Sequence, residues 1–126
     1  MNKRRSFIVG IKSTKLSFKE KLFLKKFKPW GVILFTRNIK NIEQTFKLTS
    51  SIRKIFNDKK YPILIDQEGG RVNRLRNIVS FDNLTSDFFG KIYDEDVRKF
   101  KLYYKLYIDK TSYLLKSIGV NINTLP

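Results

Sequence analysis

Three five-residue apolar runs recur along the chain, Phe7-Ile8-Val9-Gly10-Ile11, Gly31-Val32-Ile33-Leu34-Phe35 and Tyr61-Pro62-Ile63-Leu64-Ile65. None alternates with polar residues, so each reads as a strand buried on both faces, the pattern of parallel rather than antiparallel sheets. Segments of helical period lie between them. Ser17 and Glu20 form a capping-box pattern that opens a helix over about 18–28, with Phe18, Leu22, Phe23 and Phe27 on one face and Pro29 as its stop. Asn41 with Gln44 caps a second helix over 42–56, whose Ile42, Phe46, Ile52, Ile55 and Phe56 recur near the helical period. Residues 69–93 carry no regular pattern. A third helix is expected over 95–118, opened electrostatically by Asp94, Glu95 and Asp96, burying Val97, Phe100, Tyr104, Tyr107, Leu114 and Ile118, and closed by Gly119. Val120-Asn121-Ile122-Asn123 then begins a fourth strand. Strands alternating with crossover helices leave two α/β architectures, an open doubly wound sheet or part of a (β/α)8 barrel.

Composition narrows the chemistry more than the fold. The 126 residues include no Cys and no His, which removes disulfides, thiolate catalysis, Ser-His-Asp triads and most zinc chemistry. Catalysis by this chain is left to carboxylates, Lys, Tyr or hydroxyls. The net charge of +16 would attract polyanions. However, 19 of the 27 basic residues are Lys, beside 14 Ile, 9 Asn and no Ala, the slant of an AT-biased coding sequence. The lysines also spread over the outward faces of every expected helix, Lys19, Lys25, Lys47, Lys99 and Lys105 among them, rather than along one stripe, so nucleic acid is not the expected partner. Met1-Asn2-Lys3-Arg4-Arg5-Ser6 has the charge of a signal-peptide start, but the apolar run behind it ends at Lys12 after five residues. A secretory core needs about 7–15 and a membrane span about 20. A cytoplasmic protein with no membrane partner is expected.

The informative constellation is Asp66-Gln67-Glu68-Gly69-Gly70-Arg71-Val72-Asn73-Arg74, directly after the third strand. Ligands of parallel α/β folds bind at the carboxyl ends of the strands. A carboxylate beside Arg71, Arg74 and Arg76 suits polyhydroxylated ligands, because sugar hydroxyls both donate and accept. The competing reading is structural, with Asp66 or Glu68 paired to Arg71, Arg74 or Arg37 to hold the loop. Pairing is the favoured reading for Glu68, and ligand binding for Asp66. No Gly-x-Gly-x-x-Gly follows the first strand and no phosphate loop occurs, which removes the main support for dinucleotide or nucleotide binding.

The nine-residue motif closely resembles the Asp-Gln-Glu-Gly-Gly-Arg-Val-x-Arg signature of family 3 glycoside hydrolases, especially bacterial β-N-acetylhexosaminidases of peptidoglycan recycling. Gly31-Val32-Ile33-Leu34-Phe35-Thr36-Arg37-Asn38 looks like that family's second strand with its Leu-Phe-x-Arg-Asn end. Gly119-Val120-Asn121-Ile122-Asn123-Thr124-Leu125-Pro126 looks like its Gly-Ile-Asp-Ile-Asn-Phe-Ala-Pro segment, with Asn121 for the usual Asp and Leu125 for Ala; Thr85-Ser86 stands where Pro-Ser is common.

The resemblance implies that residues 1–126 are a single incomplete domain, the first half, about four βα units with parallel strands, of a TIM (β/α)8 barrel that typically needs ~250 residues. It assigns sugar-hydroxyl binding to Asp66 and Arg74 and implies an N-acetylglucosamine-containing saccharide as substrate, hydrolysed with retention. No metal or cofactor is called for. The family's acid/base segment contains His and its nucleophilic Asp comes later, so no catalytic residue is assigned in this chain, and Asp66 with Glu68 is not nominated as a catalytic carboxylate pair. Three expectations follow. The chain alone should be inactive as a glycosidase, its first and fourth strands should be open edges, and either a complementing carboxy-terminal half or self-association should cover them.

Overall fold

The computed structural model describes residues 4–125; the charged start Met1–Lys3 and Pro126 of the fourth-strand motif lie outside the described residues. The elements run β1 (Arg5–Gly10), α1 (Phe18–Phe27), β2 (Pro29–Leu34), a 3-10 turn (Thr36–Asn38), α2 (Ile42–Phe56), β3 (Ile63–Ile65), α3 (Ser86–Glu95), α4 (Val97–Ser117) and β4 (Ile122–Asn123). All strand pairs are parallel and the sheet order is the chain order, β1-β2-β3-β4. The sheet does not close: β1 and β4 each have one strand neighbour. This is the expected α/β arrangement of successive βα units, with open edges where they were anticipated.

Local signals place the first two helices closely. In α1 the Glu20 amide donates to Ser17 Oγ at 3.2 Å while the Ser17 amide donates to Glu20 Oε2 at 2.8 Å, the reciprocal capping box. The helix ends where Lys28 turns left-handed (φ 47°) and Pro29 starts β2. Helix α2 spans the expected residues, its Gln44 amide donating to Asn41 Oδ1 at 2.8 Å.

Two expectations are corrected. A helix, α3, occupies the segment read as irregular. Thr85 Oγ1 caps it by accepting from the Phe88 amide at 3.0 Å, and Phe89 and Ile92 are its buried residues. Gly90 in its interior and the Asn, Ser and Thr before it masked the period. Consequently α4 begins at Val97, capped by Asp96 rather than Asp94, with Asp96 Oδ1 accepting from the amides of Arg98 and Lys99.

The second correction concerns which faces are buried. Phe18 in α1 is 75% exposed, and Leu24, at 1%, makes the core contact instead. Ile42 and Phe46 in α2, and Val97 and Tyr104 in α4, are exposed, whereas Leu114 and Ile118 are buried as expected. Ile8 in β1 is 45% exposed, against 0% for Ile63 and Ile65 in β3. Apolar content alone does not bury a residue; a strand or helix at the rim of an open sheet has nothing on one side.

The core lies between the sheet and α1, α2 and the carboxyl half of α4: Val32, Leu34, Ile63 and Ile65 pack with Leu24, Ile52, Leu115 and Ile118. Each such side chain contributes about 1.5–3 kcal/mol by leaving water. Gly119 makes the turn from α4 to β4 possible. Its φ is +79°, and a Cβ there would lie 2.3 Å from Thr49 Oγ1, a hydroxyl already donating to the Ile118 carbonyl at 2.9 Å. No helix among the described residues is long and apolar enough to cross a membrane.

Candidate functional site

Asp66 is the first residue beyond β3, so the strand itself carries its side chain to the carboxyl-end mouth of the sheet. Arg74 arrives from eight residues later because the intervening chain folds back. Gly69 and Gly70 take positive φ (88° and 57°), and the amides of Glu68 and Gly69 donate to the Val72 carbonyl. A Cβ on Gly69 would meet the Leu84 carbonyl oxygen at 2.5 Å, so the loop tolerates little else there. Arg74 Nε donates to Asp66 Oδ1 and Arg74 Nη2 to Asp66 Oδ2, both at 2.7 Å, a two-point fork between side chains each about a quarter exposed. These hydrogen bonds hold the Asp66 carboxyl below its ordinary range against the opposing effect of burial, and they raise Arg74 correspondingly. Asp66 is therefore an ionised acceptor at neutral pH, unsuited to donate a proton as a general acid.

The structure shows the loop-holding pairing of Asp66 with Arg74; a carboxylate has about four acceptor positions and the fork uses two. Glu68 departs from its favoured reading: its side chain is exposed and makes no ion pair within 4 Å among the described residues. Arg71 is exposed, Arg76 Nε donates to the Asn73 carbonyl at 3.2 Å, and Arg37 Nε donates to the Ile11 carbonyl at 3.0 Å. Arg37 and Arg74 both approach the Phe35 ring, at 4.6 and 5.4 Å from its centroid, so the end of β2 carries an aromatic support for the guanidinium that holds Asp66.

The residues that build this mouth went largely unassigned from sequence. Gln67, fully buried, accepts through Oε1 from the amides of Arg74 (2.8 Å) and Leu75 (3.1 Å) and donates through Nε2 to Asn73 Oδ1 (3.2 Å). Asn123 at the end of β4 completes the frame: its Oδ1 accepts from the Gln67 amide at 2.9 Å and its Nδ2 donates to the Gln67 carbonyl at 3.2 Å. Asn38, also fully buried, accepts from the Phe35 amide and donates to the carbonyls of Ile11 and Ser13, tying the β1 and β2 ends together. The available signal was the placement of amide side chains at strand ends, where backbone groups leave the ladder and need partners.

The departures from the family pattern find roles here. Asn121 lies at the amino end of the sheet, where Oδ1 accepts from the Ile63 amide at 2.8 Å and Nδ2 donates to the Lys60 and Tyr61 carbonyls, a donation an ionised Asp would not make. Thr85 supplies the cap of α3. Leu125 is exposed. A cleft of about 740 Å³ lies elsewhere, between the β1–α1 loop and the start of α2, with Lys15, Lys21, Lys40 and Lys47 on its walls. No group of three or more carboxylates able to hold a metal ion occurs among the described residues.

No family model matches the chain. A curated β-hexosaminidase of Alkalilimnicola ehrlichii is 38% identical over 92 residues, which cover 71% of this chain and 25% of that protein. The crystal structure of native NagZ from Neisseria gonorrhoeae superimposes with a TM-score of 0.82 at 27% identity over 98% of this chain and 36% of its own; NagZ from the same organism, in complex with N-trifluoroacetyl-D-glucosamine, gives 0.59 at 32% over 74% and 27%. A family 3 β-N-acetylglucosaminidase from Paenibacillus sp. str. FPU-7 gives 0.72 at 25% over 93% and 22%. The chain thus spans about a quarter of the length of the curated relative and about a third of the NagZ chain.

Proposed function

We propose, from a chain that resembles the amino-terminal domain of family 3 glycoside hydrolases, that residues 1–126 supply the sugar-recognising part of a β-N-acetylhexosaminidase. The observation that carries this reading is the Asp66–Arg74 fork at the mouth of the sheet. Asp66 accepts hydrogen bonds from two hydroxyls of a terminal N-acetylglucosamine, and the guanidinium hydrogens of Arg74 not spent on Asp66 donate to hydroxyl oxygens. Gln67 and Asn123 hold both partners to the strand ends. The hexosaminidase relatives and the N-trifluoroacetyl-D-glucosamine bound by NagZ support an N-acetylhexosamine as the sugar.

The reaction of the whole protein is then retaining hydrolysis of a glycosidic bond in cytoplasmic peptidoglycan recycling. The acid/base and nucleophile are not assigned to this chain, which has no His and whose Asp66 is committed to Arg74. The open edges of β1 and β4 favour completion of the sheet by further strands, from a complementing carboxy-terminal half.

The test is an NMR titration of the 126-residue chain with N-acetylglucosamine. Saturable shifts around residues 66–74, reduced at least about tenfold in affinity in Asp66→Ala and Arg74→Ala, are expected from the loss of charge-assisted hydrogen bonds. Unchanged affinity in both variants overturns the assignment. Release of N-acetylglucosamine from an aryl glycoside by the purified chain would show that it holds catalytic groups of its own.

A further inference from the structure

A second concavity begins one loop away from Asp66. Helices α3 and α4 enclose a half-open cleft of about 390 Å³ whose walls are the rings of Phe89, Phe100, Tyr104 and Tyr107 and whose rim carries the carboxylates of Glu68 and Asp94. The rings hold one another at centroid distances of 4.9 Å (Phe89–Tyr104), 5.2 Å (Phe100–Tyr104) and 5.3 Å (Phe89–Tyr107), the first two pairs edge-to-face and stacked respectively. Such packing explains how α3 stays on α4, but not why the space between them is open. Gly90, in the interior of α3, borders the cleft, and a Cβ there would meet nothing within 4 Å. A helix-interior glycine with room for a side chain gives up about 1 kcal/mol of helix stability for an unobstructed cleft wall.

The rim of this cleft joins two carboxylates to an aromatic wall. Three helix carboxylates elsewhere are matched by lysines one turn away, Glu43 with Lys47, Asp87 with Lys91 and Asp109 with Lys105. Glu68 and Asp94 form no ion pair within 4 Å among the described residues, in a chain with 27 basic side chains against 11 acidic ones. Aromatic faces attract cations through their quadrupoles, and carboxylates at the edge neutralise the incoming charge. Anions are repelled by the same carboxylates.

We propose that this cleft binds an organic ammonium group, with the alkyl substituents against the rings of Phe89, Tyr104 and Tyr107 and the charge facing Glu68 and Asp94. The group is carried either by a small quaternary amine or by a lysine side chain of a peptide. Glu68 sits two residues from Asp66, and its charge contributes to the raised pKa of Arg74, so an ammonium in the cleft and a sugar at the mouth would occupy adjoining ends of one loop.

The experiment is a 1H–15N NMR titration of the 126-residue chain with tetramethylammonium chloride in one arm and Nα-acetyl-lysine amide in another, each against sodium chloride of equal ionic strength. Saturable shifts confined to residues 84–107, with Glu68, are expected in at least one arm. Affinity should fall about tenfold in the Glu68→Gln/Asp94→Asn double variant. It should vanish in Gly90→Phe, which fills the cleft while leaving both carboxylates in place; the spectra themselves report whether each variant is folded. Shifts matched by sodium chloride, or affinity retained in either folded variant, overturn the proposal. Neither result depends on N-acetylglucosamine binding at Asp66, because residues 84–107 lie outside the 66–74 segment that reads the sugar.

Discussion

Strands β1 and β3 are nearly interchangeable as sequence and unlike as structure. Both come from five-residue apolar runs rich in β-branched residues, yet Ile63 and Ile65 are fully buried while Ile8 is 45% exposed. The difference is position: β3 has β2 on one side and β4 on the other, and β1 has only β2. The same contrast holds among the helices, where Leu48 and Ile52 of α2 and Leu114 and Leu115 of α4 are covered and the Phe18 face of α1 is not. A run of apolar residues therefore specifies an element, and the neighbours supplied by the rest of the architecture decide how much of it leaves water.

Four substitutions probe that contrast. The largest effect is expected at Ile65, whose truncation to Ala should cost about 3–4 kcal/mol by lost transfer and a residual cavity, whereas Ile8→Ala should cost less than about 1 kcal/mol because half of its surface never left water. Urea unfolding of the two variants measures both, and equal losses would refute the positional account. Next comes Gln67→Leu, which keeps the volume roughly but strands the amides of Arg74 and Leu75. Two buried donors without partners should cost about 2–4 kcal/mol, and the Arg74 guanidinium resonance should lose its protected, Asp66-bound position. The smallest effect is pH-dependent. Because Arg74 depresses Asp66, the pair stabilises the fold above the ordinary carboxylate value of 3.8, and that contribution is lost as pH falls through the lower folded-state value. The melting-temperature difference between the parent and Asp66→Asn should therefore be present near neutrality and vanish in strong acid.

Much of the frame was legible because it rests on local chemistry. Ser17 with Glu20 and Asn41 with Gln44 cap helices through groups three residues apart, so no tertiary information is needed to see them. The parallel sheet was legible from the absence of alternation. Helix α3 was not, because its evidence is a single threonine cap and an aromatic pair followed at once by Gly90. At the site, Asp66 and Arg74 stood out through charge and family resemblance. The amides that position them did not, since Gln67 and Asn123 act across 56 residues of chain. Apart from Asn73 Oδ1, their partners are backbone groups, which no sequence pattern marks.

The order β1-β2-β3-β4 is also the order in which the strands are made. Each strand pairs with one already synthesised, and each crossover helix is finished before the strand it delivers. On a ribosome adding about 5–20 residues per second, the sheet can grow by accretion, with β1 as its seed and β4 as its advancing tip. A register chosen early, such as Val32 opposite Ile63, is then inherited by every later strand. The Asp66–Arg74 fork can close within the ribosome-bound nascent chain once Arg74 has emerged, but its frame waits for Asn123, so the loop is fully braced only as the tip arrives.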